Sequence, residues 1–230
     1  MIRWIAFDAV GTLIEPEPDV ATVYAVAGWR HGSRLSTDDV RSRFRRSFAE
    51  STEACLPRND GDVVTSEELE VERWRWIVAR VLDDVADPQA CFQELYEHFA
   101  RAESWRVFDD AGPALEALQR AGLRLALASN FDRRLHDVCR GLPVLSVIER
   151  IVVSTDVGAC KPSRRFFTSL LDTCACRADE LLMVGDDREA DILGPQRSGI
   201  SAVLIDRRAA TNAPEVIHSL AELPALVGRT

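Results

Sequence analysis

From about Val107 onward the chain repeats one pattern: a short apolar run, an abrupt polar stop, then a helical stretch. Leu123 to Ala128 stops at Ser129-Asn130, and Leu181 to Val184 stops at Gly185-Asp186-Asp187. Ile151-Val152-Val153 leads into a loop that passes Gly158 and reaches Lys161-Pro162, and Ala202 to Ile205 forms the last run. Helical stretches lie between them, among them Asp110 to Arg120, closed by Ala121-Gly122, and Ser163 to Cys174. Such alternation predicts an α/β fold, a doubly wound, mostly parallel sheet covered by helices on both faces, with right-handed crossovers.

The N-terminus adds a further strand. Ile2-Arg3-Trp4-Ile5-Ala6-Phe7 has the length and the aromatic and β-branched content of a core strand, and it turns polar at Asp8-Ala9-Val10-Gly11-Thr12-Leu13. Taken alone, this reads equally as a strand with an ordinary Asp/Gly turn. In open α/β sheets, however, ligands sit beyond the carboxyl ends of the strands. Asp8, Ser129 and Asp186 each stand just past a strand, and Lys161 lies in a loop beyond another. Four polar groups are thereby expected on one rim.

Between these parts the pattern changes. The prolines of Glu15-Pro16-Glu17-Pro18 suggest a hinge or linker, and from Asp19 to about Trp105 no convincing strand is evident. Asp19 to Trp29 reads as helix. Ser36-Thr37-Asp38-Asp39 starts a second, in which Val40, Phe44 and Phe48 form the stripe of one buried face. Pro57 to Gly61 is a loop, Thr65-Ser66-Glu67-Glu68 opens a third helix, and Asp87-Pro88 a fourth. Residues 1–15 and 106–230 are therefore expected to form the α/β core, with residues 16–105 as an inserted all-helical domain. The run Arg41 to Arg46 reads as a solvated helix face, with Arg41 and Arg45 as candidates to face inward and select anionic substrates.

A formal net charge of -9 argues against nucleic acid and anionic membranes as partners and favours a small molecule. No run is apolar enough to cross a bilayer, and the N-terminal run lacks a signal peptide's charged leader and cleavage site. A cytoplasmic protein with six reduced cysteines is expected; the sequence assigns no oligomeric state. Lys161 is the only lysine, every other basic residue being arginine. A compact, flexible ammonium is kept at one place where a planar guanidinium does not substitute for it.

An aspartate after the first strand, Ser129 after the second, Lys161 before a proline, and Gly185-Asp186-Asp187 with Asp191 after a later strand resemble the four motifs of the haloacid dehalogenase-like hydrolases. The resemblance covers nearly the whole chain, and the helical insert resembles the cap domain that many of these enzymes place between the first and second motifs. It implies a Rossmann-like core in which Asp8 is the nucleophile, Lys161 a cation beside it and Ser129 a hydroxyl donor. It further implies a Mg²⁺ site made by Asp8, the backbone carbonyl of Val10, and Asp186. Asp187 and Asp191 would support that site, or simply favour a helix N-terminus. Thr12 would donate to a phosphate or cap the turn, and Asn130 would line the substrate pocket or serve as a turn residue. The four histidines lie outside the motifs.

One position departs from the pattern. Phosphatases of this family carry a second aspartate two residues after the nucleophile, to protonate the leaving group and then activate water; this chain has Val10. Three readings follow. The first is Mg²⁺-dependent hydrolysis of a small phosphorylated metabolite with an activated leaving group, or with an acid borrowed from the cap or Glu15. The second is dehalogenation, since the family's dehalogenases share an Asp-Ala-x-Gly-Thr stretch and a halide needs no proton; those enzymes work without metal and lack the Asp186-Asp187 pair. The third is a binding or regulatory protein. Phosphonate cleavage is excluded, because it needs a cap lysine.

Overall fold

The computed structural model describes residues 1–207 and 216–227. The chain runs through β1 (Trp4–Phe7), turns across the loop containing Asp8, and leaves along β2 (Ile14–Pro16). Four helices follow: α1 (Val20–Arg30), α2 (Thr37–Cys55), α3 (Glu67–Val81) and α4 (Pro88–His98), with a hairpin of β3 (Arg58–Asn59) and β4 (Asp62–Val63) between α2 and α3. The chain returns along β5 (Trp105–Val107), then α5 (Ala111–Arg120), β6 (Arg124–Ser129), α6 (Arg134–Gly141) and β7 (Arg150–Val153). It ends with α7 (Ser154–Val157), α8 (Arg164–Cys174), β8 (Leu181–Gly185), α9 (Gly194–Arg197), β9 (Ser201–Ile205), β10 (Val216–Ile217) and α10 (Leu223–Val227).

Six strands form one sheet in the order β10-β9-β8-β1-β6-β7, every pair parallel. β1 lies in the middle, and its four residues are all buried. Their alternation supplies both faces: Ile5 and Phe7 pack with Leu115, Leu118 and Leu135, while Trp4 and Ala6 pack with Phe166, Phe167 and Leu170. Each fully buried aromatic or aliphatic side chain of this kind stabilises the fold by about 1.5–3 kcal/mol. A strand buried on both sides can present polar groups only at its ends, and its carboxyl end is where Asp8 stands.

The four helices form a bundle around an apolar cluster of their own, with Tyr24, Val40, Ile77, Val81, Phe92 and Leu95 among its members. Each helix begins at a side chain the sequence marks. Asp19 accepts from the Ala21 amide, Ser36 and Asp39 close a capping box, Ser66 accepts from Leu69, and Asp87 from Ala90 with Pro88 in the first turn.

Several details differ from expectation. Residues 57–61 are not a plain loop: Asp60 and Gly61, with φ of 50° and 88°, make the turn of a small hairpin, because consecutive positive φ values give the twist that paired strands need. The Pro16 region is not a free linker, since β2 pairs antiparallel with β5, Glu15 opposite Arg106 and Pro16 opposite Trp105. The stripe on α2 is not uniformly buried. Val40 is wholly so, but Phe48 is 44% exposed. β10 escaped detection, because two residues carry no periodicity to read.

The bundle meets the strand ends at separate places. The β2/β5 ribbon joins them covalently, the Cys160 amide donates to the Val63 carbonyl (3.0 Å), the Arg133 amide to Glu67 Oε1 (3.0 Å), and Arg134 Nη1 to the Tyr96 carbonyl (3.1 Å).

Candidate active site

Parallel register brings the carboxyl ends of three strands level. Phe7 lies opposite Leu127 on β6 and Val184 on β8, so Asp8, Ala128-Ser129 and Gly185-Asp186 emerge side by side. Asp8 is 8% exposed. Its Oδ1 accepts from Lys161 Nζ at 2.8 Å and from Ser129 Oγ at 3.2 Å; its Oδ2 accepts no hydrogen bond from the described residues. Lys161 is buried and all three of its protons are engaged: on Asp8 Oδ1, on the Ala128 carbonyl (2.8 Å) and on Asp191 Oδ1 (2.6 Å).

The lysine is held from behind by Asn130. Asn130 Nδ2 donates to the Lys161 carbonyl (2.9 Å) and Asn130 Oδ1 accepts from the Lys161 amide (2.7 Å), so one side chain fixes both main-chain groups. Asp191 comes inward on a π-helical turn, Arg188–Leu193, whose start is capped by Asp187 accepting from the Glu189 and Ala190 amides. A π turn shifts the facing of its residues relative to an α-helix, and such turns recur at functional sites.

Two glycines make room for the carboxylates. A methyl group on Gly11, whose φ is +92°, would stand 2.3 Å from Asp186 Oδ2, and one on Gly185 would stand 2.3 Å from Asp191 Cγ. Neither position accepts a side chain without moving an acid.

Carboxylate oxygens of Asp8, Asp186 and Asp191 lie within 4.8 Å of one another, against the single ammonium of Lys161. Burial would push the Lys161 ammonium down, but Asp191 and Asp8 override it and hold it above its ordinary value. Asp186 is solvent-exposed at the mouth of the recess, with protein mass behind its carboxyl. This surrounding burial, then the charges of Asp8 and Asp191, push its carboxyl up to about 7. Asp191 is likewise raised, by burial foremost, to about 6. Three oxygen donors of this kind, with negative charge in excess, fit a hard divalent cation.

These groups form one end of a cavity of 810 Å³, whose other walls belong to the helical bundle. Val10, Ser129, Asn130, Asp187 and Asp191 also line it. Thr12 does not: it is wholly buried, its hydroxyl finds no partner among the described residues, and its carbonyl accepts from Arg207 Nη2 (2.9 Å). Nor do Arg41 and Arg45. Arg41 is turned to Asp38 and Asp19 on the surface, and Arg45 is exposed. Glu15 pairs with Arg106 on the ribbon and does not itself line the cavity, although its neighbour Pro16 does.

Sequence reasoning missed the residues that do line the far wall. They include Tyr24, Phe48, Trp74 and Phe92, with the buried pair Arg73–Glu70 (3.0 Å) among them. Helical spacing identified a buried side of each helix without separating the part that packs from the part that faces a void. Cys160 also lines the cavity, and burial pushes its thiol up to about 11, so it stays neutral.

A family model described as haloacid dehalogenase-like hydrolase matches residues 2–199. The chain is 28% identical to the haloacid dehalogenase-like hydrolase domain-containing protein 3 of Danio rerio, over 97% of this chain and 96% of that one. A ribulose-1,5-bisphosphate 5-phosphatase of Halopiger xanaduensis is 32% identical over 50% of this chain and 49% of its own length. In fold, the chain is similar to the L-2-haloacid dehalogenase of Xanthobacter autotrophicus, with a TM-score of 0.76 at 18% identity and 99% of each chain covered.

Proposed function

Because the chain belongs to the haloacid dehalogenase-like hydrolase family, we propose that this hydrolase cleaves a small phosphorylated metabolite by way of an aspartyl-phosphate on Asp8. The observation that carries the reading is the third carboxylate. Lys161 pairs with both Asp8 and Asp191, while Asp186 pairs with no cation among the described residues and needs one in order to ionise. Dehalogenation, which Val10 by itself allows, gives no role to Asp186. Similarity to a named phosphatase over half the chain supports the same choice.

Asp8 and Asp186, with the Val10 carbonyl, would hold Mg²⁺, which when bound neutralises charge on the phosphoryl group. Lys161 draws Asp8 Oδ1 to one side together with Ser129, which leaves Oδ2 the freer oxygen to bond to phosphorus. The same ammonium lowers the repulsion that an incoming dianion meets at a carboxylate. Asn130 and Asp191 keep the lysine at that point, and Asp187 keeps the turn that carries Asp191. We assign the bundle, residues 16–105, the role of a cap that closes over the cavity by bending at the β2/β5 ribbon and so keeps water from the site. No helix among the described residues is long and apolar enough to cross a membrane, and the reading places the enzyme in the cytoplasm with a small-molecule substrate.

Intact-protein mass after incubation with acetyl phosphate and Mg²⁺ tests this. A phosphoryl adduct on the native chain with phosphate release, both absent from Asp8→Asn, is the expected result. A folded native chain that forms no adduct and releases no phosphate would overturn it.

A second expectation concerns the cation. The folded, metal-free protein holds a proton on Asp186 up to about pH 7, whereas an unfolded aspartate has lost it near 4, so this group's contribution to stability falls as pH rises across that window. Mg²⁺ binds the ionised form and reverses the loss. The rise in Tm on adding Mg²⁺ should therefore be larger at pH 8 than at pH 5.5, and should shrink in Asp186→Asn. An equal shift at both pH values counts against Asp186 as a ligand.

A further inference from the structure

The cavity is far larger than a phosphate, and its walls beyond the carboxylates are aromatic. Both of the chain's tyrosines, five of its nine phenylalanines and two of its five tryptophans line it. The packing runs continuously: Tyr24 meets Phe44 edge-on at 5.1 Å, Phe44 stacks on Phe48 at 5.7 Å, and Phe48 meets Trp74 at 6.0 Å. Phe44, Phe48 and Trp74 are only partly buried, so they keep ring surface available to a guest.

The buried charges on these walls are already paired. Arg58 pairs with Glu53 (3.0 Å), Arg73 with Glu70 (3.0 Å) and Arg134 with Asp132 (2.7 Å), and the fourth lining cation, Lys161, belongs to the phosphoryl end. Among the described residues the buried part of the chamber offers no unpaired cation to a second phosphate, Arg58 standing in an exposed pair. A polyhydroxy or bis-phosphorylated body would exchange water for ring faces and gain little.

The second observation is independent of the first. Val10 lines the same cavity beside Asp8 and can give no proton to a departing oxygen. An alkoxide leaves poorly without one, whereas a phenolate spreads its charge into its ring and leaves as a stable anion. A site with an aromatic chamber and no acid at the leaving group suits one kind of ester.

Resting on the phosphoryl-transfer reading above, we propose that the substrate is an aryl phosphate, a phosphomonoester of a phenol whose ring system lies against Phe44, Phe48 and Trp74. In the first step Asp8 Oδ2 bonds to phosphorus, the phosphorus–oxygen bond to the ring breaks, and its electron pair leaves on the phenolate. Water then attacks the phosphorus of the aspartyl-phosphate, releasing inorganic phosphate and restoring Asp8. Of the water's two protons, one ends on the phenol and one on the phosphate.

Three probes separate the two requirements. 2-Naphthyl phosphate has both ring and good leaving group, adenosine 5′-monophosphate a ring but an alkoxide leaving group, and acetyl phosphate a good leaving group but no ring. The expected kcat/KM for 2-naphthyl phosphate exceeds that for each of the others by about tenfold or more. Phe48→Ala and Trp74→Ala should each lower the ratio of kcat/KM between 2-naphthyl and acetyl phosphate several-fold, up to about tenfold, mostly through KM. Adenosine monophosphate matching 2-naphthyl phosphate, or a ratio unmoved in both variants, would overturn the proposal. Turnover of acetyl phosphate without preference for the aryl ester overturns it while leaving phosphoryl hydrolysis standing. No turnover of any of the three overturns both.

Discussion

Val10→Asp should raise turnover of an alkyl phosphate, adenosine 5′-monophosphate for instance, by about a hundredfold to ten-thousandfold, the range that a positioned general acid and base supplies, or on the order of 3–5 kcal/mol of barrier. The side chain at position 10 lines the cavity beside Asp8 and packs only partly against the core, so a carboxyl of similar size can be housed there. It would protonate the departing alkoxide and afterwards take a proton from the attacking water. Acetyl phosphate should gain much less, since acetate departs without help and only the second step improves. The variant adds a fourth acidic group to a site already in excess of negative charge, so its Tm without Mg²⁺ should fall below that of the native chain. Steady-state rates on the two substrates decide the matter. No gain on the alkyl ester would mean that Val10 is not what slows the chemistry, and equal gains on both would place its effect in hydrolysis of the aspartyl-phosphate instead of in the departure of the leaving group.

Lys161→Met is expected to cut phosphate release by a thousandfold or more and to lower folding stability by about 3–5 kcal/mol. The lysine is the one charge that stands between Asp8 and Asp191, each of which reaches it within 2.8 Å. Without it two buried carboxylates face each other. Lys161→Arg should not restore activity, because the three acceptors around Nζ are arranged about a point and the guanidinium is a plane. Lys161→Met combined with Asp191→Asn should regain much of the stability and none of the turnover. Urea unfolding alongside phosphate release tests this, and a double variant no more stable than the single one would show that charge is not the cause.

The sheet was legible in the sequence because its strands are buried on both faces and must therefore be nearly all apolar. That leaves Asp8, Ser129 and Asp186 as sharp breaks at their ends, and parallel register turns three such breaks into one place. Lys161 was legible through scarcity. Other positions depended on facing, which a short motif does not specify. Asn130 shows an exposed amide beside the cavity, yet both its polar atoms are taken by the main chain of Lys161. Asp187 and Asp191 stand four residues apart on one turn, and the π-helical geometry sends the second to the lysine while the first caps. In the bundle the stripe Val40, Phe44, Phe48 has the spacing of a packed face, but it leaves the apolar interior part way along and becomes cavity wall. Arg41 pairs with Asp38 and Asp19 on the surface and does not line the cavity.

The contact between the Cys160 amide and the Val63 carbonyl uses main-chain atoms on both sides. It holds whatever side chains stand at those two positions, and the pairing of β2 with β5 shares the property. The chamber's wall, by contrast, includes large side chains such as Phe44, Phe48 and Trp74 that are only partly buried. Divergence can thus rewrite the guest without redrawing the frame. Descendants of one ancestor can inherit the same main-chain contacts, drift apart at Phe44, Phe48 and Trp74, and end up serving unrelated metabolism.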